Sequence, residues 1–246
     1  MSQVVLILEL LGWVAPSVPA GRIPLVQADR GLGTSPDLLR GITALGWYFE
    51  VRVQKNTRLK TAEGMEGAIR KAFELAAEIP GAYVPQQFAN PSNPRAHYET
   101  TGPEIFEQAE GRIDAVAIGI GSAGTFAGVA RYLKERLPTL HRVGVEPQGS
   151  IFGGGAPGPH RVEGIGQSFW PEILPKDSLD EVITVPDEEA FAAVRELALT
   201  EGLLTGGSSG CAVVAARQIA RRLGPGKRVV TILPDGAERY MSQGIL

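Results

Sequence analysis

The chain predicts an α/β fold in which parallel strands are covered by helices on both faces. Three observations lead there. Short apolar strand segments alternate with amphipathic helical segments through the last 130 or so residues, the pattern of a sheet buried on both sides. One strand, Ala115 to Ile120, runs into Gly121-Ser122-Ala123-Gly124-Thr125 and from there directly into a helix. That turn and Leu233-Pro234-Asp235-Gly236 both fall where a strand ends, the edge at which such sheets collect ligands.

In chain order, residues 4–14 are apolar apart from Glu9 and Gly12, and Val18-Pro19-Ala20 faintly resembles a cleavage site. No basic segment precedes that stretch and Glu9 interrupts it, so a buried strand or helix of a cytoplasmic protein is expected rather than a secretory signal. It is too short to cross a bilayer as a helix. Residues 61–79 carry apolar or small residues at helical spacing, with Glu63, Glu66, Arg70, Lys71 and Glu74 for a wet face. Further helices are expected over 124–137, 187–201 and 209–223, the second opening on the acid cluster Asp187-Glu188-Glu189. Strands are expected over 115–120, 143–146, 182–185 and 229–233. The run 153–159, rich in glycine and proline, reads as a mobile loop or lid.

The turn after Ile120 is the most informative stretch. Backbone N–H groups at the start of a helix have no intrahelical partner, and the helix dipole adds partial positive charge, so a phosphoryl group is the natural occupant. Three readings of it stand. Gly119, Gly121 and Gly124 spell the G-x-G-x-x-G of a dinucleotide fold, with Glu146 ending the next strand where a ribose-binding acid would sit. The same loop can instead cup the phosphate of pyridoxal 5′-phosphate. It can also be a tight turn without a ligand.

Downstream, Gly206-Gly207-Ser208-Ser209-Gly210 matches the G-x-S-x-G elbow of the α/β hydrolases. That fold places its histidine after the serine, whereas His97, His141 and His160 all precede Ser208, so acyl transfer is set aside. One of the two serines is expected to cap the helix. A serine hydroxyl here can also hydrogen-bond a pyridine nitrogen, since it both donates and accepts.

Composition narrows the classes. The 246 residues suffice for one large domain or two small ones, and 24 basic against 27 acidic side chains leave a formal charge of -3, without a nucleic-acid or membrane footprint. Cys211 is the single cysteine, which excludes an intrachain disulfide, fits a reducing compartment and reads as helix packing rather than a nucleophile. No metal site is expected.

Over residues 61–239 the chain resembles the cysteine synthase family, the O-acetylserine sulfhydrylases, which are fold-type II pyridoxal-phosphate enzymes. The resemblance rests on Gly64-Met65-Glu66-Gly67-Ala68, on Pro85-Gln86-Gln87-Phe88-Ala89-Asn90-Pro91-Ser92-Asn93-Pro94, on Thr100-Thr101-Gly102-Pro103-Glu104-Ile105, on Pro157-Gly158-Pro159-His160, and on the 164–166, 206–210 and 233–240 segments. It implies a tryptophan synthase β-subunit-like architecture with a shortened, divergent N-terminal domain over 1–90 and a cofactor-phosphate-binding α/β domain over 91–246. It places the cofactor phosphate on Gly121, Ser122, Ala123, Gly124 and Thr125, the pyridine nitrogen on Ser208, the substrate carboxylate near Gln87, and the active-site mouth at Gly164, Ile165 and Gly166. The implied reaction is β-replacement, O-acetylserine plus sulfide giving cysteine plus acetate, by a cytoplasmic homodimer. Cystathionine β-synthase-like replacement shares the same motifs, and a catalytically silent phosphate-ligand binding or interaction protein is the alternative from another class. A serine at the ring nitrogen makes the ring a weaker electron sink than a carboxylate would, which suits loss of a good leaving group.

Two departures from the family pattern stand out. Ala123 replaces the usual glycine, at a cost of about 1 kcal/mol if the loop needs a positive φ there. More seriously, the Schiff-base lysine motif of Ser-x-Lys-Asp-Arg type and the Thr-Ser-Gly-Asn-Thr-Gly loop are both absent, and only Ile23-Pro24-Leu25-Val26 echoes the family's N-terminal half. Of the lysines, Lys55, Lys60, Lys71, Lys134, Lys176 and Lys227, only Lys55 has a distant likeness to the motif, and a solvated surface lysine is the ordinary reading for it. Little or no turnover is therefore expected.

Overall fold

A computed structural model describes residues 25–28, 48–51, 64–78 and 82–245. The chain divides into two compact units, Met1–Val84 and Pro85–Leu246. In the first, β1 (Leu25–Ala28) pairs in parallel with β2 (Tyr48–Val51), and α1 (Gly64–Glu78) follows. The segment 4–14, Lys55 and Lys60 lie outside the described residues.

The second unit opens with two short helices, α2 (Ser92–Glu99) and α3 (Thr101–Gln108). Then come β3 (Ala115–Gly119), α4 (Gly124–Arg136), β4 (His141–Pro147), β5 (Glu181–Val185), α5 (Asp187–Thr200), α6 (Gly207–Leu223) and β6 (Val229–Thr231). Four strands form one parallel sheet in the order β5-β4-β3-β6.

Alternation along the strands explains why both faces are covered. Ala115 and Ala117 of β3 join Val143, Val145, Ile183 and Val185 against Phe191, Val194, Cys211, Ala215 and Ile219 of α5 and α6. The intervening Val116 and Ile118 face the other way, into Phe126, Val129, Ala130 and Leu133 of α4. Phe126 and Leu133 are fully buried, each contributing roughly 2–3 kcal/mol.

The chain moves from β3 to β4 to β5 with α4 over one face, then returns through α5 and α6 over the other face to place β6 on the far side of β3. The reversal lies between β3 and β6. In open parallel sheets the ligand crevice sits outside the carboxyl ends of the strands at such a switch point. Residues 120–125, after β3, and 232–236, after β6, lead out of it.

α2 and α3 are helices that the periodicity of the sequence does not announce. α2 has no buried residue, and prolines stand in the first turn of each, at Pro94 and Pro103, where a missing N–H costs nothing.

Candidate functional site

The turn after β3 ends with Ala123 at φ 76° and ψ −7°, a left-handed conformation that favours glycine. Two glycines beside it are required by what lies against them. A Cβ on Gly121 would stand 2.3 Å from the Gly164 carbonyl oxygen, and one on Gly124 would stand 1.9 Å from Asn93 Oδ1. The 164–166 loop is therefore seated on the turn, tied by a hydrogen bond of 2.9 Å from Gly166 N–H to the Ile120 carbonyl, with Ile165 against Gly119. Gly164 and Gly166 are themselves at positive φ, 87° and 85°.

Asn93 brings in the Gln87 segment. Its amide nitrogen donates to the Gln87 carbonyl at 2.8 Å and to Ser122 Oγ at 3.0 Å. Gln86 holds φ 48° while its carbonyl accepts the Ala89 and Asn90 N–H groups, a tight turn that leaves the Gln87 side chain exposed. His97 reaches the same helix start, with Nε2 3.0 Å from Thr125 Oγ1 and Nδ1 2.9 Å from Thr101 Oγ1. Burial pulls the His97 imidazole below its ordinary pKa, so it is neutral at pH 7.

The second half of the site follows β6. Asp235 and Gly236 run antiparallel against Thr205 and Gly206, with Gly206 N–H on the Asp235 carbonyl at 3.1 Å. This seats the start of α6, and with it the buried Ser208, at the edge reached by the β3 turn. The N-cap of α6 is Gly206 and no side chain caps it, so the expected serine cap is not there: Ser209 Oγ is buried without a partner among the described residues. Thr205 Oγ1 and Asp235 Oδ1 share that condition, while the other Asp235 oxygen accepts the Tyr240 hydroxyl.

The helix starts separate by charge. α5 carries Asp187, Glu188 and Glu189 in its first turn, and Asp187 accepts the Arg161 N–H at 2.7 Å, so its own acids answer its dipole. α4 and α6 have no acid in the first turn and keep basic residues in the last, leaving both N-termini positive. A phosphate monoester fits the first: the N–H groups of a helix start, two hydroxyls, and glycines that let Asn93 and the 164–166 loop pack closely against the turn. A polar aromatic ring fits the second, where protein hydroxyls stand unmatched.

The dinucleotide reading fails on Glu146. Its carboxylate is fully buried and accepts from the Phe152 and Gly153 N–H groups at 2.8 and 2.9 Å and from Thr184 Oγ1 at 2.8 Å. It pins the 152–153 loop and has no reach to a ribose. Cys211 is buried, and burial pushes its thiol up to about 12, consistent with packing.

The chain matches the profile of the family described as pyridoxal-phosphate dependent enzyme over residues 33–235. It belongs to that family. A cysteine synthase of Helicobacter pylori is 52% identical over 185 residues, covering 75% of this chain and 60% of that protein. An O-acetylserine dependent cystathionine beta-synthase of Bacillus subtilis is 48% identical over 183 residues, again covering 60% of the relative. Among solved structures, the O-acetylserine dependent cystathionine beta-synthase from Helicobacter pylori aligns with TM-score 0.74 and 46% identity over 90% of this chain and 69% of that one. The chain thus spans about three fifths of the curated relatives' length. The resemblance to cysteine synthases and the fold-type II architecture expected from the sequence hold.

Sequence reasoning missed Asn93, His97, Asp235 and Tyr240. Asn93, Asp235 and Tyr240 stood inside the quoted motifs and His97 between two of them; only the contacts give them a part. The described lysines lie elsewhere. Lys134 donates to the Leu140 carbonyl ahead of β4, Lys176 precedes β5 with its ammonium 6.0 Å from the Trp170 ring, and Lys227 precedes β6 in a 2.8 Å pair with Asp114, all at the amino edge of the sheet. Lys71, on α1 in the other unit, pairs with Glu74. Among the described residues no helix is long and apolar enough to cross a membrane.

Proposed function

We propose that this chain binds pyridoxal 5′-phosphate at the switch point of its parallel sheet and carries the larger part of a cysteine synthase-like site for β-replacement. The observation that carries the reading is the turn at 121–125: left-handed at Ala123, backed by glycines that closely seat two other loops, and opening a helix without first-turn acids. Gly121, Ser122, Ala123, Gly124 and Thr125 hold the phosphate through N–H groups and the Ser122 and Thr125 hydroxyls. Ser208, at the positive start of α6, meets the pyridine nitrogen. Gln87 and the loop of Gly164, Ile165 and Gly166 border the phosphate cup and receive the amino-acid carboxylate and side chain.

When bound, the cofactor supplies the electron sink that makes the substrate Cα–H acidic and lets acetate leave from Cβ. The protein's own residues position it, keep the ring partner neutral, and line the mouth. Sulfide then takes the place of acetate at Cβ and a proton returns to Cα, giving cysteine. The Helicobacter pylori and Bacillus subtilis relatives named as cystathionine synthases support a larger thiol as a second sulfur donor. A cytoplasmic homodimer completes the reading.

Proton movement at Cα needs a basic group within hydrogen-bond reach. The three described lysines of the sheet-bearing unit stand at its opposite edge, which favours a second reading for the chain by itself: a cofactor-binding protein with little turnover.

The test is titration with pyridoxal 5′-phosphate against unphosphorylated pyridoxal. Saturable binding of the phosphorylated form, lost in Ser122→Ala/Thr125→Val, is expected. Equal binding of both forms, or binding untouched by those changes, overturns the assignment of the cup.

A further inference from the structure

The two hydroxyls of the 121–125 turn have partners behind them, and both partners come from one helix. Asn93 and His97 are four residues apart on α2 and lie on the same face. Across from them, Gly124 and Gly128 are four apart on α4. A Cβ on Gly124 would strike Asn93 Oδ1 at 1.9 Å, and one on Gly128 would meet the Pro94 carbonyl oxygen at 2.2 Å and His97 Cβ at 2.7 Å. Two glycines one turn apart on α4 thus admit two polar side chains one turn apart on α2.

The Asn93 hydrogen bond has a fixed direction, and the direction of the His97 pair is set by its tautomer. An asparagine amide nitrogen only donates, so at 3.0 Å the Ser122 oxygen is the acceptor and its own proton is left to point elsewhere. A neutral imidazole carries one N–H. With that proton on Nε2, His97 donates to Thr125 Oγ1, and Nδ1 accepts from Thr101, which stands 2.9 Å behind it. Thr125 is then in the same condition as Ser122, with an oxygen engaged from the rear and a proton free for the front.

We infer that α2 is the back wall of the anion cup, with Asn93 and His97 acting as positioning residues that fix Ser122 and Thr125 as hydrogen-bond donors to a bound phosphate. This rests on the reading of residues 121–125 as the cofactor-phosphate site. A hydroxyl free to rotate gives up orientational freedom on meeting the anion, and preorganised donors avoid that loss. Asn93 also holds the Gln87 carbonyl, so the same side chain ties the phosphate cup to the segment assigned to the substrate carboxylate.

The test is a pair of double-mutant cycles read by affinity for pyridoxamine 5′-phosphate, which has no aldehyde and needs no lysine. In one, Asn93→Ala is combined with Ser122→Ala; in the other, His97→Leu is combined with Thr125→Val. Each single change is expected to weaken binding about tenfold, the scale of a hydrogen bond to a charged group. Each double variant should be little weaker than its hydroxyl-deleted single, because the rear partner acts only through the hydroxyl. Pyridoxamine without phosphate should bind all variants alike. His97→Gln, which keeps a donor near Nε2, should restore most of the affinity, and it leaves the second cycle decisive even if Asn93→Ala does not fold. Asn93→Asp should bind more weakly than Asn93→Ala, since an acceptor there draws the Ser122 proton backwards. Additive losses in the cycles, or the same losses for pyridoxamine without phosphate, overturn the inference while leaving the cup intact. Wild-type protein that binds neither pyridoxal 5′-phosphate nor pyridoxamine 5′-phosphate removes the parent reading and this inference with it.

Discussion

At Ala123 a methyl group occupies a left-handed backbone that glycine adopts without strain, φ 76°. Ala123→Gly is expected to raise stability by up to about 1 kcal/mol, less the extra freedom glycine gives the unfolded chain, as read by urea denaturation. Gly124→Val is the opposite case. Its side chain would collide with Asn93 before it reached a ligand, so we expect a loss of fold stability together with at least about a tenfold loss of pyridoxal 5′-phosphate affinity. A third residue reports pH. Hydrogen bonds from Arg142, at 2.8 and 3.0 Å through its guanidinium, hold Asp180 down to about 2. Because the folded value lies below the unfolded one, the stabilisation is complete above the ordinary carboxylate pKa and is lost as pH falls from about 4 toward about 2. Asp180→Asn should cost about 2 kcal/mol at neutral pH, and the gap from wild type should close across that window in denaturation curves.

Elements meet in this protein through glycine-made approaches, and α2 against α4 is the clearest. Gly128 lets the Pro94 carbonyl and His97 come within backbone distance, so Gly128→Leu has no flexible neighbour to displace. It should cost about 1–3 kcal/mol by thermal or urea unfolding and weaken phosphate binding as well, since moving α2 moves both rear partners of the cup. A loss of stability with phosphate affinity unchanged would detach α2 from the site. The α2–α4 contact also marks the limit of what the sequence discloses. The strands and the helices α4, α5 and α6 are legible because each buries an apolar face, and the turn at 121–125 is legible because its glycines follow a strand. α2 buries no side chain fully and its first turn holds a proline, so no hydrophobic period reveals it. The serine cap failed for a related reason: the antiparallel bridge between Thr205 and Gly236 places Gly206 at the N-cap, a long-range pairing invisible to a local pattern. Ala123 was readable as a departure, but its cost depends on a dihedral angle only the fold supplies.

For the whole molecule the decisive issue is where a lysine can stand. The proposed cofactor phosphate and ring sites lie at the carboxyl edge of the parallel sheet, whereas Lys134, Lys176 and Lys227 lead into strands at the amino edge, each already engaged with a carbonyl, an aromatic ring or a carboxylate. A strand of five residues separates those edges by about 16 Å, well beyond the reach of a side chain around the rim. The chain also spans 60% of the length of the cysteine synthase of Helicobacter pylori that it matches. Reduction with borohydride in the presence of pyridoxal 5′-phosphate, followed by peptide mapping, should therefore leave Lys134, Lys176 and Lys227 unlabelled, and cysteine formation from O-acetylserine and sulfide should stay near the rate given by free cofactor. General acid–base help is worth roughly 10² to 10⁴ in rate, so an active site completed by a lysine would stand clear of that background. A single labelled peptide containing Lys55, with turnover well above the background, would mean that the N-terminal unit brings the missing base to the cup. Diffuse or absent labelling with saturable cofactor binding would leave a protein that holds the cofactor and does not turn over.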